Sequence, residues 1–302
     1  MQRASPTDTV VRELRVKVEA ELPGASENLH WRVRLSDVPA VLRRVARRSA
    51  KGLSYELAVL RELHRRGWPV PVPLAEPIED NGDTWMLYSW LPGTSPTSED
   101  EGAQRERGRL LARLHGDLSE LVSFGQRDGW QMAHEVVADS ALHTALMRFE
   151  TLHPLEGHLL RWHADQAQRL LEDLPVAEAD RTVVHGDLAP WNLLFDTDGG
   201  LSGIVDFDIV HLDLSVADFA CSWRGKYDEV IHGYNEVRPL SDLDLALLTP
   251  IFWAWLFIGV ADDLSAILAG TATLDRLSWM MSKLPLRTPA MGPTATPYAA
   301  PR

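Results

Sequence analysis

Apolar and polar residues alternate with period two across residues 26–45, SENLHWRVRLSDVPAVLRRV, with a break at Ser36-Asp37. A period of two puts every second side chain on one face of a strand, so the stretch predicts two short antiparallel strands and a turn. The period then changes. Leu57, Leu60 and Leu63 in LSYELAVLRELHRR, residues 53–66, are spaced as one face of a helix, which Gly67 ends. WPVPVPLAEP follows as a proline-stiffened extended connection. TWMLYSWL, residues 84–91, is a further strand, stopped by Pro92-Gly93.

Beyond the turn-rich break GTSPTSEDEG, helical patterns dominate from about residue 101 to 174. One hairpin interrupts them: NLLFD, then TDGG, then LSGIVDFD. Helices resume through residue 283, and residues 285–302, rich in Pro, Ala and Thr, read as a mobile tail. No internal repeat is visible. The order predicts an α+β chain of two lobes: a small β-rich one over residues 1–90, a hinge at about 88–93, and a larger, mainly helical one over 91–284. A ligand cleft between lobes is the expected arrangement.

The chain has 302 residues, 45% of them hydrophobic and 24% charged, which suffices for a core in each lobe. Its net charge of −13, from 43 acidic and 30 basic residues, weighs against nucleic acid or an anionic membrane surface as partner. It suits a cationic ligand, and it equally serves solubility. The single cysteine, Cys221, excludes an intrachain disulfide and any CxxC site. Residues 245–261, LALLTPIFWAWLFIGVA, reach the lower length of a membrane span. Pro250 within them and Asp244, Asp262 and Asp263 around them make a buried helix the expectation. The first 22 residues lack the apolar core of a secretory signal, so a cytoplasmic protein without a membrane partner is expected. Nothing specifies an oligomeric state.

Several partial motifs fail. HEVVA at 134–138 has Ala138 where a second zinc ligand would stand. GASEN at 24–28 lacks the closing glycine of a nucleophile elbow. Gly225-Lys226 lacks the other residues of a phosphate-binding Walker loop, and no GxGxxG occurs.

VVHGDLAPWNLLF, residues 183–195, is different. Gly186 and Pro190 deny it a regular helix, so Asp187 and Asn192 sit on a loop entering a strand. Asp206 follows at the end of the hairpin's return strand, and a hairpin of this length brings Asn192 and Asp206 back toward one point. Two oxygen ligands and a further carboxylate suit Mg²⁺-dependent phosphoryl transfer, because Mg²⁺ prefers oxygen and uses few protein ligands besides nucleotide phosphates. Asp187 would accept or orient the proton of a substrate hydroxyl.

H-G-D-x-x-x-x-N followed by I-V-D-F-D resembles the catalytic and metal motifs of the aminoglycoside phosphotransferase family, small-molecule kinases similar in fold to protein kinases. The resemblance covers roughly residues 24–265. It implies a bilobal protein-kinase-like fold, with Asp187 catalytic and Asn192 and Asp206 as metal ligands. It implies Mg²⁺ and ATP as cofactors, with GTP an open alternative. His185 and Asp218, the latter in DLSVADFA, are implied as structural support of the site, although a substrate role for Asp218 stays open. Asp208 either approaches the metal or faces outward. A second HGDL at 115–118 has Val122 where the asparagine should be, and LLARLHGDL resembles the family's helix ending in Leu-His; it reads as structural.

In the first lobe, AVLRRV carries Arg43 where the family has a phosphate-contacting lysine, and Glu56 on the following helix is its expected partner. A surface pair involving Arg44 or Glu62 is the alternative. An arginine fork is not equivalent to an ammonium. Ser26 and Asn28 in LPGASEN are candidate nucleotide contacts, as are Ser89 and Trp90 in the linker YSWLPG. For the acceptor, the second lobe offers Tyr227, Asp228 and Glu229 in KYDEV, Trp253 and Trp255, and Asp262-Asp263. Carboxylates beside aromatics would hold a small cationic molecule. The expected acceptor is an aminoglycoside or basic peptide antibiotic; the alternatives are a metabolic alcohol such as choline, homoserine or a sugar, or no acceptor at all in a nucleotide-binding pseudokinase.

Overall fold

The computed structural model describes residues 5–23, 28–45 and 50–284, so Ser26 and the tail after Leu284 lie outside the described residues. It divides into two compact units. The first comprises residues 1–98, 127–129 and 189–210, and the second comprises 99–126, 130–188 and 211–302.

The first unit begins with α1 (Asp8–Leu14), β1 (Val16–Leu22), β2 (Leu29–Leu35), β3 (Val38–Val45), α2 (Leu53–Arg65), β4 (Ile78–Asp80) and β5 (Asp83–Ser89). Its strands form one antiparallel sheet in the order β1-β2-β3-β5-β4. Alternation sorts the side chains of this sheet. On one face Val16, Trp31, Val33, Ala40, Leu42, Trp85 and Leu87 pack with Val10 and Leu14 of α1 into a closed core. The indoles of Trp31 and Trp85 lie 5.4 Å apart at its centre. Arg43, one residue out of phase with Leu42, points to the opposite face, where α2 supplies its partner. The α2 helix buries Leu53, Glu56, Leu57, Val59, Leu60 and Leu63, the stripe its 3.6-residue period dictates. Gly67, at φ +88, ends it.

The second unit continues with α3 (Glu101–Leu118), α4 (Ala133–Ala138), α5 (Ser140–Leu152) and α6 (Pro154–Glu172), then β6 (Arg181–Val184). The hairpin strands β7 (Leu193–Phe195) and β8 (Leu201–Ile204) follow in the chain, before β9 (His211–Leu214), α7 (Phe219–Ser222), α8 (Asp228–Val237), α9 (Asp242–Trp255), α10 (Val260–Leu268) and α11 (Ser278–Met281). Helices α3 and α8 approach so closely that a Cβ at Gly233 would fall 1.9 Å from the carbonyl oxygen of Arg105. Two glycines, Gly108 and Gly233, make that crossing.

The hairpin groups from sequence with the helical lobe, yet β7 and β8 pack with the first unit. The reason is hydrogen bonding: Ile204 N–H donates to the Pro69 carbonyl, the Ser202 hydroxyl to that of Pro92, and Thr94 and Phe195 bridge as strand residues do. A second pairing, β6 with β9, is four residues long and lies within the second unit, in addition to the hairpin expected from sequence. Residues Asp242–Leu268 have the length and mean hydropathy, 1.9, of a membrane span. They are broken at Gly259, φ +78, into α9 and α10, and Leu247, Leu248, Ile251, Phe252, Trp253 and Phe257 are buried in the second unit.

Candidate active site

In the first unit, the hairpin sets the positions of Asn192 and Asp206. Leu193 pairs with Ile204, and Val205 N–H donates to the Asn192 carbonyl at 2.9 Å, so the backbone of Asn192 lies against the residue that precedes Asp206. The turn holds that register: one carboxylate oxygen of Asp196 accepts the N–H groups of Asp198 and Gly200 at 2.9 and 2.7 Å. Asn192 is buried. Asp206 has φ +70, in the left-handed region that non-glycine residues rarely adopt.

Asp208 faces inward. Its carboxylate accepts from Asn28 Nδ2 at 2.7 Å and meets the carboxyl of Asp206. Burial raises its pKa, against the opposing charges of Arg43 and Arg127.

Arg43 and Glu56 form the expected pair, Nη2 to Oε2 at 2.8 Å, both buried. Arg44, the alternative, instead sits 3.5 Å from Asp83, while Glu62 pairs with Arg65 and Arg66. The other Glu56 oxygen accepts from the Tyr88 hydroxyl at 2.8 Å, and the Arg43 guanidinium lies 5.1 Å from the Tyr88 ring centroid. Burial opposes the charge on Arg43, but Glu56, Tyr88 and Asp208 outweigh it and raise its pKa. The same Arg43 charge adds to burial in holding His30 down at about 4. Ser89 is bound into the fold, its hydroxyl accepting Val72 N–H at 2.8 Å, and Arg32 covers the ring of Trp90 at 5.0 Å.

In the second unit, the HGDL loop is held residue by residue. Asp218 accepts His185 N–H on Oδ2 at 2.8 Å and Gly186 N–H on Oδ1 at 2.6 Å. His185 Nδ1 accepts Asp187 N–H at 3.2 Å, which places the ring proton of a neutral His185 on Nε2. Ser222 Oγ donates to the Leu188 carbonyl at 2.7 Å. The Asp187 side chain stays half-buried, beside Cys221, whose thiol pKa is pushed well up by burial and then by the Asp187 charge. Burial alone would raise the carboxyl of Asp218; the bonds from His115 and Gly186 and the His115 and His185 charges outweigh it and hold the pKa low.

The acceptor candidates are distributed differently. Asp228 accepts from Trp223 Nε1 at 2.8 Å, Glu229 pairs with Arg105 and His232, and Asp263 with Arg276. Asp262 is exposed in the first turn of α10. Trp253 is buried against His163, ring centroids 4.9 Å apart, as a core residue would be.

Arg127 and Tyr88 were not legible as site residues. Arg127 lies in a loop whose sequence has no periodicity, and Tyr88 reads as one more apolar strand position.

Among the described residues, no group of three or more His, Cys, Asp or Glu is arranged to hold a metal. An amide oxygen on Asn192 and a carboxylate on Asp206 nevertheless fit magnesium, an oxygen-seeking ion that takes its remaining ligands from phosphates and water.

The model of the phosphotransferase enzyme family APH matches residues 19–237. Homoserine kinase of Gluconobacter oxydans is 27% identical over 249 residues, covering 74% of either chain. Among solved structures, a thermostable mutant of the aminoglycoside phosphotransferase APH(4)-Ia, in complex with ADP and hygromycin B, has a TM-score of 0.63 at 16% identity. That match covers 91% of this chain and 95% of the other. A microcompartment-associated aminopropanol kinase has a TM-score of 0.61 at 19% identity over 90% of this chain and 95% of its own. At such identities these structures share the fold, antiparallel sheet first and helical part after.

Proposed function

The chain belongs to the phosphotransferase enzyme family APH, and on that premise we propose that it moves the terminal phosphate of magnesium-bound ATP to a hydroxyl of a small, amine-bearing alcohol. The observation that supports the reaction is the hairpin ladder, in which the backbone of Asn192 meets that of Val205, next to Asp206, four residues downstream of the clamped HGDL loop. In this reading Asn192 and Asp206 hold the metal, which when bound draws charge off the phosphates. Asp187 accepts the acceptor's hydroxyl proton, or orients it. Its loop is fixed in advance by Asp218 and Ser222, so little ordering is left to the moment of reaction. Arg43, oriented by Glu56, supplies positive charge for the phosphates in place of the lysine usual at this position.

Internal pairing favours a small acceptor over a polycation. Ammonium groups are held by carboxylates, and of the four candidates here Asp228, Glu229 and Asp263 already hold partners within the chain while Asp262 is exposed. The homoserine kinase and aminopropanol kinase relatives are named for small amine-bearing alcohols, which supports the same class.

A coupled nucleotide-turnover assay with Mg²⁺ tests this, using ATP and GTP against homoserine, aminopropanol, choline, simple sugars, aminoglycosides and basic peptide antibiotics. The expected result is stimulation by an amino alcohol at higher kcat/KM than by any antibiotic. Stimulation confined to an aminoglycoside would overturn the acceptor class. Nucleotide binding with no stimulation by anything would favour a binding module.

A further inference from the structure

Arg127 is all but fully buried, at 1% exposure, in a stretch of three residues that belongs to the first unit while the chain on either side belongs to the second. Its Nη1 donates to two carbonyls of the segment after the hairpin, Asp208 at 2.7 Å and Val210 at 2.9 Å. The side chain lies along Gly52. A Cβ there would fall 2.0 Å from Arg127 Nε and 2.9 Å from Cδ and Cγ. Gly52 has φ −98, where alanine is comfortable, so it is room for the arginine, not backbone freedom, that requires a glycine.

The position of these contacts matters. Asp206 is held in left-handed backbone, a conformation that is unfavourable for a non-glycine residue and persists only where the surroundings over-determine it. Upstream, Val205 N–H to the Asn192 carbonyl fixes the chain. Downstream, Val210 N–H closes a turn onto the Phe207 carbonyl, and Arg127 grips both ends of that turn's exit. Burial works against the charge on Arg127 and the Arg43 charge adds to it, while Glu56 and Asp208 offset the two in part. A lone guanidinium would not be buried there.

We propose that Arg127 is a positioning residue for the metal-binding segment, fixing Asp206 for its ligand role by holding the Asp208 and Val210 carbonyls, and that Gly52 is the seat that lets it do so. The proposal rests on the reading of Asn192 and Asp206 as metal ligands. It extends the site to two residues outside the motifs, one at the start of α2 and one between α3 and α4.

The test is calorimetric titration of ATP, with and without Mg²⁺, into the whole chain and into Arg127→Met, Arg127→Lys, Gly52→Ala, the Gly52→Ala/Arg127→Met double variant and Asp206→Asn. Arg127→Met is expected to weaken Mg²⁺-dependent ATP binding roughly 10- to 100-fold, as loss of an outer partner of a metal ligand does, with metal-free binding unchanged. Gly52→Ala should reproduce the loss, because its methyl group displaces the guanidinium, and the double variant should be no worse than either single one. Arg127→Lys should fall between, since one ammonium reaches one carbonyl better than two. If Arg127→Met fails to fold, Gly52→Ala and Arg127→Lys carry the same comparison. A folded Arg127→Met with the unaltered Mg²⁺ response, while Asp206→Asn loses it, would overturn this proposal alone, and so would additive losses in the double variant. An unaltered chain indifferent to Mg²⁺ would overturn the metal reading and the proposal with it.

Discussion

His115 Nε2 and Asp218 Oδ2 lie 2.9 Å apart inside the second unit, and neither side chain is exposed. This contact joins the two HGDL copies. The same Asp218 oxygen that meets His115 of the first copy accepts the backbone N–H of His185 in the second. On its far side, His115 Nδ1 meets the hydroxyl of Tyr234 in α8 at 2.9 Å. The first copy is thus a prop for the second, and Asp218 is the post between them.

Asp218→Asn should destabilise the protein at neutral pH by about 1–3 kcal/mol, the range for leaving a buried hydrogen-bonding group without its partner. The folded pKa of Asp218 is depressed, so its contribution is fully present above the unfolded carboxylate value of about 3.9 and is lost as pH falls through the folded value. Melting curves of the variant and the unaltered chain should therefore converge in acid below about pH 4. A melting-temperature gap that stays constant into acid would contradict this linkage.

Asp206→Gly separates stability from function. Glycine removes the left-handed penalty but adds chain entropy to the unfolded state, two terms of roughly 1 kcal/mol each that offset. The melting temperature should hardly move, while Mg²⁺-dependent ATP binding disappears. A variant that keeps its metal response would remove Asp206 from the site.

Arg43→Met should leave Glu56 buried with the Tyr88 hydroxyl as its remaining partner, a loss of about 3–5 kcal/mol in denaturant unfolding. Arg43→Lys keeps the charge and should lose less than half as much. If Met and Lys destabilise equally, the guanidinium geometry, not its charge, supports Glu56.

Gly233→Ala tests the helical unit alone. Its methyl group would collide with the Arg105 carbonyl, backbone against backbone, for an expected loss of about 1–3 kcal/mol. ATP affinity should be unaffected; a matching loss of affinity would mean that the α3–α8 crossing is coupled to the nucleotide site.

Period and punctuation made the elements legible where one face is buried and the other is not. That held for β2, β3 and α2, whereas β5, buried from Thr84 to Tyr88, was legible from its apolar run and the Pro92-Gly93 stop. The alternation of VKVEAEL was also present, but β1 shows a mostly half-exposed or exposed pattern that does not stand out in composition. Strands β6 and β9 are four residues long and, but for Arg181, buried throughout, so neither alternates. The pairing of Arg43 with Glu56 was expected from the family resemblance at AVLRRV and the helix that follows it, and the two side chains do meet. The Arg127 contacts could not be read that way, because a loop arginine meeting two backbone carbonyls leaves no residue-type signature at the other end. Nor could pairing among Asp228, Glu229 and Asp263, which in sequence are indistinguishable from carboxylates available to a ligand.

The most direct measurement follows label from the γ-phosphate of ATP into homoserine, aminopropanol and an aminoglycoside, with and without Mg²⁺, in the unaltered chain and in Asp187→Ala. A phosphorylated alcohol should form only with Mg²⁺, at a rate roughly 10²- to 10⁴-fold lower in Asp187→Ala while ATP binding is nearly kept. Label released only to water, or transfer that Asp187→Ala leaves unchanged, would contradict it.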